Sequence, residues 1–312
     1  MKTKNGFDDK YVIAIGAAAI DEYYLAKQWP QEGSKELVKY KEDMVGGMIP
    51  NAACVFAGYG VKTYLLDTLK GHSPKTDMMI EDFKSYGLNT ELIRYDDGIP
   101  DAKTMIVLTE KEKTILVVDP EKPELEISGD ELEIFRNASY IYTTPLEFKR
   151  IRGWKELMAD LKAHHTQLVF DIEASTVDAC DTDLIYHADI LFFNEFGFEK
   201  IRGGKTEEDA FAEMFQSGVK IVTITMGEKG SYTVTETESC RVPAVKQAVV
   251  DTTGAGDTFN SSFVTCLLMG KGLKETAEFA NAAGGYSVTK LGPKGGVNDL
   301  AFIERLAEQY YS

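Results

Sequence analysis

Short apolar runs alternate along the chain with longer stretches in which apolar residues recur every three or four positions. A short run of β-branched or aromatic residues is typical of a strand buried on both faces, and the longer periodicity is typical of an amphipathic helix. Runs of the first kind are residues 11–16, 61–66, 167–171, 189–193 and 220–225, and stretches of the second kind are residues 76–86, 154–164, 207–216 and 274–288. The alternation predicts an α/β fold with three layers, α/β/α, around a mainly parallel sheet.

A second pattern, in which polar and apolar residues alternate strictly, occupies residues 37–41, 104–109 and 114–118. It predicts half-exposed antiparallel strands. The charged break at 110–113 predicts a hairpin turn and equally fits an ordinary charged loop. Because no long linker interrupts the chain, we expect a single domain over residues 1–312, with a small β-sheet lid inserted from about 21–45 and 97–120. Such a lid would cover the carboxyl ends of the parallel strands.

Charge and composition exclude several kinds of partner. The formal net charge is −16, which argues against nucleic acid or an anionic membrane as the main partner. No apolar stretch approaches the ~20 residues of a membrane-spanning helix. The four cysteines are widely scattered without a Cys-x-x-Cys pair, which favours a reduced, cytoplasmic setting over a secreted one.

The most informative segment lies late in the chain, where an apolar run is followed by glycines and then by a helical pattern. Ala248, Val249 and Val250 predict the end of a buried strand. Phe259 and Phe263 begin an apolar repeat at helical spacing. We therefore expect a strand-to-helix corner at residues 251–257.

That corner has the residues for phosphoryl transfer. Gly254 and Gly256 permit close backbone approach, and the first N–H groups of a helix are free to bind an anion. Asp257, in the first turn, can accept a proton from a hydroxyl group. The alternative is that Asp257 only complements the helix dipole and the glycines only make a tight turn.

Near the N-terminus, a glycine pair at Gly46 and Gly47 precedes Asn51 and a helix of small residues at 52–60. Taken with the corner at 251–257, this order of motifs resembles the ribokinase-like (phosphofructokinase-B) carbohydrate kinase family over nearly the whole chain. The resemblance implies a ribokinase-like fold. It also implies transfer of the γ-phosphoryl group of ATP to a hydroxymethyl hydroxyl of a small sugar or sugar acid.

The resemblance also implies roles for individual residues. Asp257 matches the family's catalytic base, and Gly254, Ala255 and Gly256 match its anion hole. The positions that match sugar-binding residues are Asp21, Gly46, Gly47, Asn51 and Glu147, and those that match nucleotide-binding residues are Asn194, Thr225, Gly227, Gly230 and Asn281.

The metals of the family are Mg²⁺ and, in several relatives, K⁺. Asp251 matches a position that helps to hold a monovalent cation, and a turn-capping aspartate explains it equally well. Relatives that hold magnesium through water usually carry Asn-x-x-Glu, whereas here Asn194 is followed at that offset by Gly197. Either Glu195 takes the outer-shell role, or magnesium rests mainly on the nucleotide phosphates.

Other departures bear on the substrate. Ala19 and Met48 stand where ribose-phosphorylating relatives often have an amide and a lysine, so we expect a sugar other than ribose. Asp171 and Glu173 lack the Asp-x-Asn-x-Arg pattern of many fructose-phosphorylating relatives. The alternatives are a nucleoside kinase of the same superfamily and a catalytically degenerate sensor that binds sugar or nucleotide. Lid sheets in this family often pair between subunits, which suggests a homodimer through the lid.

Overall fold

The computed structural model describes residue 7 and residues 9–110, 112–118, 120–180 and 182–312. In this part of the chain, β-strands and α-helices alternate as the apolar pattern predicts. The strands are β1 (Tyr11–Ile15), β2 (Ala19–Leu25), β3 (Lys39–Gly46), β4 (Lys62–Leu66), β5 (Thr68–Lys70), β6 (Arg94–Asp96), β7 (Lys103–Leu108), β8 (Lys113–Val118), β9 (Tyr140–Thr143), β10 (Gln167–Ile172), β11 (Ile190–Asn194), β12 (Ile221–Thr225), β13 (Ser231–Val234) and β14 (Ser239–Val242).

Helices connect most of these strands, and a short 3-10 turn follows β12 at Gly227–Lys229. No helix in the described ranges is both long enough and apolar enough to cross a membrane. The helices are α1 (Met48–Gly58), α2 (Pro74–Ser85), α3 (Gly129–Arg136), α4 (Pro145–Lys149), α5 (Trp154–Ala163), α6 (Ala174–Ala179), α7 (Thr182–Tyr186), α8 (Glu195–Arg202), α9 (Glu207–Gln216), α10 (Ala255–Leu268), α11 (Leu273–Ser287) and α12 (Leu300–Tyr311).

The large sheet has the order β14-β13-β12-β11-β10-β9-β1-β4. The strands from β12 to β4 run parallel, and the hairpin of β13 and β14 continues the sheet antiparallel. Strand β1 shows how the three layers form. Its residues Val12 and Ala14 pack into the core beneath α1, α10 and α11, whereas Ile13 and Ile15 pack into the core beneath α4, α5 and α8. The expected three-layer, mainly parallel fold is confirmed.

A second sheet has the order β3-β2-β7-β8, in which β2 and β7 are parallel and the other pairs antiparallel. The strand expected at 37–41 begins at Lys39 and continues to Gly46, with Leu37 outside it. The expected hairpin joins β7 to β8, because the N–H of Thr109 donates to the carbonyl of Glu112. Within that turn, Lys111 lies outside the described residues.

The expectation of a buried strand ending at Ala248, Val249 and Val250 is wrong. Val249 and Val250 are 64% and 62% exposed, and the segment is irregular. The N–H of Val250 donates to the carbonyl of Val288 at the end of α11, 2.7 Å away, rather than to a neighbouring strand. Val249 borders a cavity instead of the core, and Val250 is exposed, so the apolar run here does not mark a buried strand.

Candidate active site

The start of α10 has the geometry expected of an anion-binding corner. Gly254 is the N-cap, with φ at +78°, and a Cβ there would overlap the carbonyl oxygen of Pro293. The N–H of Ala255 makes only a long bond, 3.3 Å, to the carbonyl of Thr252. The N–H groups of Gly256 and Asp257 precede the first hydrogen bond of the helix, which runs from the N–H of Thr258 to the carbonyl of Gly254, and so have no acceptor within the helix. This helix end can therefore bind an anion.

Asp257 lies in the first turn of α10 and is partly buried. The amide of Asn51, in the first turn of α1, donates a hydrogen bond of 2.9 Å to Asp257 Oδ2. Burial and the negative charge of Asp171 raise the pKa of Asp257 well above its ordinary value. The Asn51 hydrogen bond acts in the opposite direction, and Glu173 and Asp21 add repulsion. The structure thus brings two predicted site residues into contact and gives Asp257 a high proton affinity.

Asp171, at the end of β10, is a second buried carboxylate of the site, and sequence reasoning assigned it no role. Its Oδ2 accepts hydrogen bonds from the hydroxyl of Tyr142 (2.6 Å) and from the amide of Asn260 (2.8 Å). Burial raises the pKa of Asp171 to about 6, and the two hydrogen bonds lower it in part. Asn260 follows Asp257 by three positions on α10, so one helix carries both the proposed base and a donor to Asp171.

The predicted sugar side lies where β2 and β3 meet. Asp21 is buried on β2, and a Cβ at Gly46 would overlap its carboxylate oxygen. Gly47 has φ at +103° and lies so close to the carbonyl of Ala17 that a side chain would collide with it. Burial raises the pKa of Asp21 to about 6, against a hydrogen bond with Thr104. Gly46 therefore leaves the space that the Asp21 carboxylate occupies, and Gly47 lets the backbone pass close to Ala17.

Glu147, in the first turn of α4, covers the end of β1. Its side chain lies against Gly16, where a Cβ would overlap it, and its carboxylate pairs with Arg150. Burial, followed by the charge of Asp67, raises the pKa of Glu147, and the Arg150 guanidinium lowers it. Glu147 is therefore not an exposed glutamate at the end of a strand, which is the ordinary alternative for this position.

Asp67 contacts both segments by which the chain passes between the large sheet and the small sheet. It is fully buried, and its Oδ2 accepts the N–H of Ala18, in the segment that leads from β1 to β2. Lys122, which follows β8 and is only 4% exposed, donates to both Asp67 oxygens at 2.7 and 2.8 Å. This buried ion pair joins residues 55 positions apart and carried no signal in the sequence.

A cavity of about 920 Å³ opens on the other side of the α10 N-terminus. Ala255 and Gly256 form one edge of this cavity. The predicted nucleotide residues that line it are Thr225, Gly227, Gly230 and Asn281. Its remaining wall is mostly apolar or small, as suits a flat heterocyclic base, and includes Val245, Val249, Phe259, Gly284, Gly285 and Val288.

Two of these residues are held in place by the protein itself. Asn281 is buried, and its amide nitrogen donates to Ser231 Oγ (2.7 Å) and to the carbonyl of Ala277 (2.8 Å). Gly230 has φ at +97°, and a Cβ there would overlap the carbonyl oxygen of Val242. These contacts fix the positions of Asn281 and Gly230 in the cavity wall.

Asn194 and Glu195 lie outside that lining, at the end of β11. The side chain of Asn194 caps α8 by accepting the N–H of Gly197 at 2.7 Å. Glu195 pairs with Lys229 at 2.9 Å, and both side chains are exposed. Within the described ranges, no three His, Cys, Asp or Glu side chains are grouped to hold a metal ion. A magnesium ion would therefore depend on nucleotide phosphates and water.

Asp251 caps the loop before α10. Its Oδ1 accepts the N–H and the hydroxyl of Thr253 at 2.9 and 2.7 Å, and its Oδ2 accepts the N–H of Gly292 at 3.0 Å. Burial would raise the pKa of Asp251, but these hydrogen bonds and the charge of Lys113 hold it below its usual value. Lys113, from β8, donates to Thr253 Oγ1 at 2.8 Å and so joins the small sheet to this loop.

The chain is similar to known proteins over most of its length. Residues 9–299 match the pfkB family carbohydrate kinase description. The ribokinase of Staphylococcus aureus is 28% identical over 307 residues, which cover 95% of this chain and 99% of that protein. The 5-dehydro-2-deoxygluconokinase of Bacillus subtilis is 24% identical over 316 residues, which cover 95% of each. The solved structure of Arabidopsis thaliana ribokinase complexed with ribose and ATP has a TM-score of 0.83 at 25% identity, covering 97% of this chain and 99% of that one.

The family match extends over most of the chain, including the glycine pair, Asn51 and the whole corner before Asp257. Both sheets and every described helix except α12 fall within it. The chain therefore belongs to the pfkB family of carbohydrate kinases, phosphotransferases whose acceptor is an alcohol group.

Proposed function

We propose that this chain transfers the γ-phosphoryl group of ATP to a hydroxymethyl hydroxyl of a small sugar or sugar acid. One observation carries the proposal. Asp257 links two parts of the site: its carboxylate accepts a hydrogen bond from Asn51, and the backbone just before it, at Ala255 and Gly256, borders the cavity. A hydroxyl bound on the first side would face a phosphate bound on the second, with the base between them.

Asp257 is suited to act as the general base. It takes the proton from the acceptor hydroxyl as that oxygen attacks the γ-phosphorus, and ADP leaves with the electrons of the broken bond. The raised pKa of Asp257 increases its affinity for that proton, while the Asn51 hydrogen bond orients the carboxylate. A base of this kind contributes about 10²–10⁴-fold to the rate.

The N-terminus of α10 stabilises the transferring group. The backbone N–H groups that begin at Gly256, together with the positive end of the helix dipole, compensate the charge that develops on the phosphoryl oxygens. When bound with the nucleotide, Mg²⁺ supplies further positive charge to the phosphates. The apolar wall near Val249 and Val288 would take the base of ATP, the nucleotide that is bound in the Arabidopsis ribokinase structure.

The polar side favours a polyhydroxylated acceptor. Asn51 Oδ1 is buried and has no hydrogen-bond partner among the described residues, and Asp21 adds a buried carboxylate. Such acceptor atoms are satisfied by hydroxyl groups of a ligand. Sugars present several such hydroxyls, and one relative carries a sugar acid derivative in its name. The alternative acceptor, a nucleoside, is distinguished by the substrate panel described below.

The lid supports a homodimer. Strand β8 is an edge of the small sheet, and its residues Ile115, Leu116 and Val117 are exposed. An exposed apolar edge strand is a ready surface for pairing with a second copy. We expect light scattering after gel filtration to give twice the chain mass, and Val117→Asp to shift it toward the monomer. A wild-type mass of one chain would contradict the dimer.

The cytoplasm is the compartment that we propose for this activity. Cys54 and Cys266 are buried thiols in the core. Buried thiols of this kind persist in a reducing compartment.

The test of the kinase is ADP release from Mg-ATP in the presence of pentoses, hexoses, ketoses, sugar acids, sugar phosphates and nucleosides, with and without potassium. One compound should stimulate release above the ATPase background. Asp257→Asn should cut that turnover by on the order of 10²-fold or more while still binding nucleotide. Stimulation by a nucleoside alone would assign the other acceptor class. Ligand-induced shifts in melting temperature without any turnover would favour a binding-only sensor.

A further inference from the structure

Gly197 leaves the first turn of α8 without the acid that the Asn-x-x-Glu pattern would place there. A Cβ at this position would lie 3.0 Å from the carbonyl oxygen of Ile172 and 3.4 Å from the carbonyl carbon of Glu173. The turn of α8 therefore packs directly on the backbone at the end of β10. A glutamate side chain at position 197 would therefore begin beside the backbone of Glu173, so both positions lie at the same edge of the sheet.

Glu173 presents a carboxylate at this edge that the fold itself does not use. It is the N-cap residue of α6 but makes no capping hydrogen bond, and its side chain is exposed. No described residue donates a hydrogen bond to it. Glu173 comes two positions after Asp171, whose carboxylate accepts a hydrogen bond from Asn260 of α10, so it lies near the helix that carries Asp257. Its charge also raises the pKa of both Asp171 and Asp257.

The other acids near β11 are already paired. Glu195 makes its ion pair with Lys229 across the loop after β12. Glu199 pairs with Arg202 one turn further along α8. Glu195 and Glu199 thus both have ion-pair partners, whereas no described residue donates a hydrogen bond to Glu173.

We propose that Glu173 replaces the missing glutamate at 197 and accepts hydrogen bonds from water bound to the magnesium ion of the nucleotide. The inference rests on the proposed function. Magnesium keeps several of its waters in protein sites, so a carboxylate can act on it without direct coordination. Moving that carboxylate from the start of α8 to the end of the adjacent strand keeps it at the same edge of the sheet, beside the phosphates that α10 would bind.

The test compares Glu173→Gln with Glu195→Gln, which removes the same charge from a nearby paired glutamate. Calorimetry would measure the affinity for AMP-PNP, a non-hydrolysable ATP analogue, with Mg²⁺ and with EDTA. We expect Glu173→Gln to lose about tenfold of its affinity in Mg²⁺, in line with the effect of outer-shell partners on metal sites. In EDTA its affinity should be unchanged or higher, because a negative charge near the phosphates is gone. Glu195→Gln should bind like the wild type in both.

Three outcomes would overturn this assignment. They are an unchanged magnesium dependence in Glu173→Gln, an equal loss in Mg²⁺ and EDTA, and a loss that appears in Glu195→Gln instead. If the wild-type protein binds no AMP-PNP under either condition, the proposed function itself fails. Melting temperatures of both variants, measured without nucleotide, separate a folding defect from a loss of metal-dependent binding.

Discussion

The amide nitrogen of Asn51 donates a hydrogen bond of 2.9 Å to the carboxylate of Asp257, although the two residues are 206 positions apart in the chain. Asn51 follows the glycine pair at 46 and 47, and Asp257 follows the glycines at 254 and 256. Helices α1 and α10 pack against each other, and this packing brings their first turns together. The two motifs therefore form one site, in which an amide orients a carboxylate.

Replacing Asn51 with Ala should impair catalysis more than nucleotide binding. Without the amide, the Asp257 carboxylate can rotate away from the acceptor hydroxyl, and a misplaced group reduces turnover by on the order of 10²-fold. The hydrogen bond also lowers the pKa of Asp257, so its loss should move the acidic limb of the pH–rate profile to higher pH. Steady-state kinetics between pH 5 and 9, with AMP-PNP binding as the control, would check both effects. Unchanged turnover would remove Asn51 from the mechanism.

Asp171→Asn should move the acidic limb of the pH–rate profile to lower pH. The negative charge of Asp171 is the second cause of the raised pKa of Asp257, after burial. An amide at 171 keeps an acceptor oxygen for Tyr142 and Asn260 but carries no charge. Asp257 would then ionise at lower pH, and the rate would begin to rise at lower pH. A profile of kcat/KM that overlies that of the wild type would show that Asp171 does not act on the base.

The same substitution should change how stability depends on pH. Asp171 has a pKa of about 6 in the folded protein, against an ordinary value of 3.8. Between these values the unfolded chain releases the proton and the folded protein keeps it, so the free energy of unfolding falls as pH rises. Relative to the wild type, Asp171→Asn should gain stability between pH 4 and 6, by on the order of 3 kcal/mol. Denaturant unfolding at several pH values would measure it, and a constant difference would contradict the pKa assignment.

Gly254→Ala should destabilise the protein, and Gly256→Ala provides a matched control. At Gly254, φ is +78° and an added Cβ overlaps the carbonyl oxygen of Pro293, whereas at Gly256 an added Cβ meets nothing within 4 Å. Strain and overpacking together should lower the free energy of unfolding of Gly254→Ala by about 3 kcal/mol. Gly256→Ala should stay within about 1 kcal/mol of the wild type, because Ala favours a helix over Gly. Equal stability of both variants in urea would contradict this account.

Lys122→Met should be more harmful than the double substitution Asp67→Asn with Lys122→Met. Removing the lysine alone leaves the fully buried Asp67 charge without its partner, which costs about 3–5 kcal/mol. The double variant has no unpaired charge and keeps an acceptor for the N–H of Ala18, so it should recover much of that loss. Thermal or urea unfolding of the wild type, the two single variants and the double variant gives the comparison. Additive effects of the two substitutions would show that the residues act independently.

Local patterns in the sequence predicted much of the fold and the position of the phosphoryl-transfer corner. A strand, an amphipathic helix and a helix start depend on residues within a few positions of each other, so Gly254, Gly256 and Asp257 could be assigned to a helix N-terminus directly. The same local logic was wrong at Val249 and Val250, because apolar residues also occur in exposed loops and in cavity walls, such as the one that Val249 borders.

Only the tertiary structure decided which distant groups meet and how they ionise. The contacts of Asn51 with Asp257, of Asp171 with Asn260 and of Asp67 with Lys122 join residues 206, 89 and 55 positions apart. Such pairs follow from the packing of helices on a complete sheet, to which every strand contributes, and no local pattern encodes them. The same packing removes water from Asp257 and Asp171 and sets the charges around them, and these determine their pKa values.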